Sequence, residues 1–189
     1  MAVSGDTEDS SCGLCTAEEL TDIMTAASGR YTLLPNTPYD EVYPGIYVGE
    51  EDFAKDLIQL KRVGITHVVN AAHGDTPFHS QTDPSRYKRI HVRFLGVPAL
   101  DHMNFDLTPY FQSSADFIDE ALQSGGKVLV HCVQGVSRSA TLVIAYLMIK
   151  KQMDVRDALR LVHSHRDVCP NDGFLQQLCD LNKVLFKDK

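Results

Sequence analysis

Residues 128–151 leave this chain few ways to fold. Val128, Leu129 and Val130 form a short apolar run that suits a buried strand. A polar stretch containing Gly135 follows at once, and residues 141–151 then keep a helical pattern. The segment therefore runs strand, tight loop, helix. A loop of that kind aims successive backbone N–H groups into one hollow, and the helix behind it adds the positive end of its dipole. The result is an anion nest, with Gly135 supplying the backbone freedom that the turn requires.

Cys132 stands at the entrance to that nest, and Arg138 stands six residues on, at the start of the helix. Both surroundings favour the anionic thiol, so Cys132 is predicted to ionise below the ordinary cysteine value and to act as a nucleophile. The amides of Val133, Gln134, Gly135, Val136 and Ser137, with the planar fork of Arg138, would hold a phosphate under attack by that sulfur. Ser139 is spaced to hydrogen-bond the sulfur as it leaves, and His131 could orient the loop from behind. The bland alternative is an inert buried cysteine beside a surface arginine. The coincidence of strand, Cys, five residues, Arg, Ser and helix argues against it.

The remaining pattern is α/β. Residues 46–48, 65–72 and 90–95 read as strands, and residues 53–63, 155–165 and 174–186 as helices, the first ended by Gly64. Residues 32–44, with three prolines, read as a connector, and 74–86 as a loop. A further helix follows Asp106, whose carboxylate can cap it, and Gly125-Gly126 ends it. Near the start, Thr16 and Glu19 have capping-box spacing ahead of Leu20, Ile23, Met24 and Ala27, which predicts a short amphipathic helix over about 16–27. Residues 1–13 are expected to be a disordered tail, and 14–189 a single catalytic domain.

The 189 residues carry a formal net charge of −7 and no tryptophan. Bulk charge therefore offers nothing to a nucleic acid or an anionic membrane, and neither partner is expected. No apolar run reaches spanning length, and no signal-peptide pattern opens the chain. Five cysteines, an odd number, read as a reducing cytoplasmic or nuclear setting. Cys12 and Cys15 form a CxxC pair, weak evidence for zinc without a second pair. Cys169 and Cys179 read as buried or helix-surface thiols. No metal and no cofactor is expected.

His131-Cys132-x5-Arg138-Ser139 resembles the signature of the protein tyrosine phosphatase superfamily, and its continuation to Met148 resembles the dual-specificity branch. Stretches 64–72, 115–122 and 170–175 are similar to the small, atypical, VHR-like members. The resemblance covers residues 14 to 189. It implies a central mixed, mainly parallel sheet flanked by helices, and hydrolysis of phosphotyrosine and phosphoserine/threonine on proteins through a phosphocysteine. It implies phosphorylated proteins as partners, mitogen-activated protein kinases among them, acting on a monomer or weak dimer.

That reaction needs a group to protonate the leaving oxygen and later to activate water. The loop after residues 90–95 offers Asp101 and Asp106. Asp106 reads as the helix cap, and the resemblance puts the acid at Asp101. It also implies a second anion site at Arg166, which could equally be a surface arginine at a helix end. Asn171 matches a position that supports the active-site loops, or is a turn and cap residue. The chain departs from the VHR pattern at Val133, Gln134 and Val136, where charged and aromatic residues are replaced, so substrate preference does not carry over. The alternatives are a non-catalytic phospho-binding scaffold, a phosphatase for a non-protein phosphate, and a thiol redox protein built on Cys12 and Cys15.

Overall fold

Three consecutive residues of the innermost strand reveal the architecture. In β5 (Val128–His131), Val128 and Val130 enter one apolar cluster while Leu129 enters another on the opposite face. Successive side chains of a strand point to opposite faces, so an all-apolar strand must be covered on both. The computed structural model, which describes residues 15–29 and 31–187, shows that covering. The expected tail at 1–13 and Cys12 lie outside the described residues.

The other strands are β1 (Tyr39–Tyr43), β2 (Ile46–Gly49), β3 (His67–Asn70) and β4 (Arg93–Gly96). They are ordered β1-β2-β5-β3-β4, with β1 antiparallel to β2 and all other pairs parallel. This is the expected mixed, mainly parallel sheet. The thinner layer holds α2 (Glu51–Lys55), α3 (Leu57–Val63) and α4 (Pro84–Lys88), packed through Phe53, Leu60 and Tyr87. The thicker layer holds α1 (Ala17–Thr25), α5 (Phe111–Gln123), α6 (Arg138–Lys151), α7 (Val155–His165) and α8 (Asp172–Leu185). Within it α6 is surrounded by α5, α7 and α8, which is why eleven of its fourteen residues are buried.

Several expected boundaries move for local reasons. The single helix over 53–63 is two helices, because Asp56 leaves helical geometry and its carboxylate accepts from the N–H groups of Ile58 and Gln59, starting α3 afresh. The connector over 32–44 contains β1. Two of its three prolines, Pro38 and Pro44, flank the strand, and β1 is an edge, where proline is tolerated. The loop over 74–86 gives way to α4, capped by Asp83 with Pro84 in its first turn. His91 takes a positive φ of 59° after α4, so the strand begins at Arg93 rather than 90. Asp106 does not take the expected capping position: its Oδ1 accepts from the N–H and hydroxyl of Thr108, and the 3-10 turn over Thr108–Tyr110 that leads into α5 starts from Leu107 without a side-chain cap.

The amino-terminal helix docks on α7 and α8. Thr16 caps it through the Glu19 N–H, Leu20 and Met24 are buried, and Glu19 forms a two-point ion pair with Arg156 of α7. Cys15 is joined in a disulfide to Cys179 of α8, with Cα atoms 5.4 Å apart, which corrects the reading of Cys179 as a free thiol.

Candidate active site

β5 delivers Cys132 to the carboxyl end of the sheet, and α6 leaves from the same point. The loop between them is tied down one carbonyl at a time. The Cys132 carbonyl accepts from His131 Nδ1 at 3.1 Å, and that of Val133 from the Glu51 N–H at 3.0 Å. Arg166 Nη2 donates to the Gln134 carbonyl at 3.2 Å and Arg166 Nε to that of Gly135 at 2.8 Å. The Val136 carbonyl accepts from the Cys169 N–H at 2.9 Å, and that of Ser137 from both the N–H and hydroxyl of Thr141 at 2.9 Å. Every carbonyl from Cys132 to Ser137 thus accepts a hydrogen bond from outside the hollow, which leaves the N–H side of the loop to line it. Gly135 makes the turn with φ of 67°, and a Cβ there would collide with the Gly49 carbonyl.

Cys132 is 2% exposed, with its sulfur 3.3 Å from Ser139 Oγ. Burial pushes the thiol up. The charge of Arg138, the Ser139 hydroxyl and the N–H groups of Ser139 and Val136 push it down and prevail, so the sulfur ionises below the ordinary cysteine range. Burial lowers His131 to about 4, so the imidazole is neutral at pH 7 and its Nδ1–H serves the Cys132 carbonyl. His131 therefore shapes the loop and adds no charge to it.

Arg138 is anchored on one side only. Its Nη1 donates to the carbonyls of Phe78 and Ala99 at 3.0 Å. Its buried Nε makes no hydrogen bond, and lies 3.5 Å from Asp101 Oδ2. A buried guanidinium with an unused donor at the mouth of an amide nest is suited to an oxyanion.

The loop carrying Asp101 follows β4 and is held by α8. Asp101 Oδ1 accepts from Ser137 Oγ at 2.8 Å and from Asn171 Nδ2 at 2.9 Å. Asn171 meets both sequence readings, because its Oδ1 also caps α8 by accepting from the Phe174 N–H. Gln177, one turn further on, donates to the Phe105 carbonyl and accepts from the Leu107 N–H. A Cβ at Gly173 would strike the Met103 carbonyl, so α8 and this loop meet backbone to backbone. Asp106, occupied with Thr108, takes no part.

Arg166 departs from expectation. Its side chain is fully buried, and besides the two loop carbonyls its Nη1 holds the Thr37 carbonyl at 3.0 Å and Asp40 Oδ2 at 2.7 Å. The guanidinium faces the protein, behind the loop, and offers no second anion site. Residue counting could not show this, because its carboxylate partner lies 126 positions away on β1. Glu51, Thr141 and Cys169, whose backbone or hydroxyl groups complete the loop, carried no sequence signal either.

These parts line a cavity of about 670 Å³, whose walls include Cys132, Arg138, Asp101 and Asn171, together with the loop residues Val133, Gln134 and Val136. Among the described residues no group of three or more His, Cys, Asp or Glu could hold a metal ion.

The family model described as "Dual specificity phosphatase, catalytic domain" matches residues 46–184. The human protein named dual specificity protein phosphatase 26 is 48% identical over 147 residues, spanning 77% of this chain and 68% of its own length, and the rat protein gives the same figures. Among solved structures, human DUSP28 superposes with a TM-score of 0.69 at 30% identity, covering 81% of this chain and 99% of its own. The human tyrosine phosphatase-like serine/threonine/tyrosine-interacting protein superposes at 0.68 with 32% identity, covering 77% and 96%.

Proposed function

The chain belongs to the dual specificity phosphatase family, and on that premise we propose that it hydrolyses phosphotyrosine and phosphoserine/threonine on proteins through a phosphocysteine at Cys132. The observation that carries this reading is a thiol whose ionised form is favoured, set in a loop that has all its carbonyls tied elsewhere.

The phosphate enters with its oxygens on the loop amides and on the free donor of Arg138. Its arrival takes Arg138 Nε from Asp101, and the carboxyl group turns to the ester oxygen. Cys132 sulfur attacks phosphorus, an S–P bond forms, the P–O ester bond breaks, and Asp101 gives its proton to the leaving oxygen. Water then attacks the phosphocysteine. Asp101 takes a proton from it, the S–P bond breaks, and Ser139 Oγ receives the thiolate by hydrogen bond. Charge on the equatorial oxygens is greatest in both transition states, where fixed amides and a guanidinium contribute most. Asn171 and Ser137 keep Asp101 in reach, and Arg166 keeps the amides aimed.

A phosphatase-like relative shares the fold, so the fold alone does not decide catalysis. The catalytic reading is supported by the favoured thiolate of Cys132 and by the unpaired Nε of Arg138 beside it. The test is hydrolysis of an aryl phosphate with a chelator present, comparing the wild type with Cys132→Ser. Loss of turnover in the variant supports the reading, and equal rates would refute it.

A further inference from the structure

The pocket has an unusual border. Eight large apolar side chains are exposed among the described residues, and six of them lie on three segments that reach the pocket. Phe78, which is 71% exposed, and Leu100 line it directly. Met103 follows Asp101 and His102 of the wall and rests against the start of α8, two residues from Asn171. Tyr31, Leu33 and Leu34 flank Thr32, whose hydroxyl touches the sulfur of the wall residue Cys169 at 3.9 Å. Exposed apolar side chains scattered singly need no explanation, but a set gathered around a cleft marks a contact surface.

Cationic groups are scarce at the same place. Arg138 is the only lysine or arginine among the wall residues, and it belongs to the phosphate. Arg166 is turned inward and spent on Asp40 and three carbonyls. A second phosphate or an acidic flank would therefore meet no lysine or further arginine among the wall residues, only the imidazole of His102, and would face Asp101 on a chain of net charge −7.

Resting on the phosphatase reading, we propose that this rim selects protein segments with one phosphorylated residue flanked by apolar side chains, in preference to acidic or doubly phosphorylated segments. Continuity with the pocket carries the assignment: once a phosphorylated residue is seated on the loop amides, its neighbours in sequence must lie across Phe78, Leu100 and Met103. Burying even part of one or two apolar side chains in the transition state is enough for a preference of about tenfold. A phosphorylated lipid headgroup in a membrane would also present apolar surroundings, but it asks for cations at the rim, which the wall does not supply.

The experiment measures kcat/KM of the full chain on matched phosphotyrosine peptides whose neighbouring residues are leucine, serine or glutamate. A phosphothreonine-x-phosphotyrosine peptide, phosphoinositide vesicles and an aryl phosphate complete the set. Leucine-flanked peptide should exceed glutamate-flanked peptide by about tenfold, and Met103→Ser combined with Leu34→Ser should cut that ratio at least about threefold, whereas Ile58→Ser on α3 should not. Equal rates, a preference for the glutamate or doubly phosphorylated peptide, faster turnover of vesicles, or a ratio untouched by the rim variant overturns the inference while leaving the phosphatase reading standing. Failure of the wild type to hydrolyse even the aryl phosphate removes the phosphatase reading and the inference with it.

Discussion

Replacing Arg166 by alanine separates a loop support from a phosphate ligand. The side chain is fully buried and makes four short contacts: 2.8 Å to the Gly135 carbonyl, 3.2 Å to that of Gln134, 3.0 Å to that of Thr37 and 2.7 Å to Asp40. Truncating one member of a buried ion pair costs about 3–5 kcal/mol, because the other charge is left without its partner. Asp40 is 23% exposed, so water can reach it and the lower end applies, about 3 kcal/mol. For a domain of this size that is a fall in Tm of about 6–12 °C. Freed from the guanidinium, the Gln134 and Gly135 carbonyls can rotate toward the hollow, and the amides that face the phosphate turn away. Losing one such donor costs about 100-fold or more in turnover. Arg166→Ala should therefore melt earlier, lose about 100-fold in aryl phosphate turnover, and show Cys132 alkylation by iodoacetamide shifted to higher pH. Singly and doubly phosphorylated peptides should suffer alike. A variant with unchanged Tm and unchanged aryl phosphate turnover, impaired only on the doubly phosphorylated peptide, would refute the reasoning and return Arg166 to the substrate.

Asp101→Asn should slow turnover by about 100-fold or more and remove the acidic-group dependence from the pH–rate profile, and a profile matching the wild type would move the acid elsewhere. Gly135→Ala should abolish turnover in a chain that still folds, because the Cβ meets the Gly49 carbonyl and the positive φ disfavours it; circular dichroism alongside the assay checks this. His131 ionises at about 4 in the fold against an ordinary 6.5, so its contribution to stability is complete above 6.5 and is lost as pH falls toward 4, by about 3 kcal/mol. Urea melts at pH 7 and pH 4.5, an interval that captures most of the loss, should show His131→Asn losing less stability on acidification than the wild type by about 2 kcal/mol; parallel losses would sink the assignment. Cutting the Cys15–Cys179 bond with a reductant should lower Tm by the equivalent of about 2–4 kcal/mol, and Cys15→Ser should make the protein insensitive to reductant.

Much of the site was legible because it is local. Strand, loop and helix from Val128 to Lys151 are one continuous stretch, and an amide nest needs only consecutive residues with the right turn. Cys132, Arg138 and Ser139 therefore stand where their spacing put them. α7 matches its expected limits because Asp154 caps it and its apolar face repeats cleanly. The failures also have local causes. At Asp56 a polar side chain outcompeted helix continuation, and at 39–43 prolines that usually mark a connector sit at the ends of an edge strand.

By itself, then, the sequence determined an α/β chain with a cysteine on a tight strand-to-helix loop that favours its ionised form, because those properties depend on neighbours along the backbone. Tertiary structure decided the partners of groups far apart in sequence. It turned Arg166 inward to Asp40, 126 residues away, where the resemblance implied a second phosphate site. It joined Asp101 to Asn171 across 70 residues and Cys15 to Cys179 across 164. It gathered exposed apolar side chains from three separate segments around one pocket. Such contacts follow from how helices and strands pack on a shared sheet, and no residue's own neighbourhood encodes them.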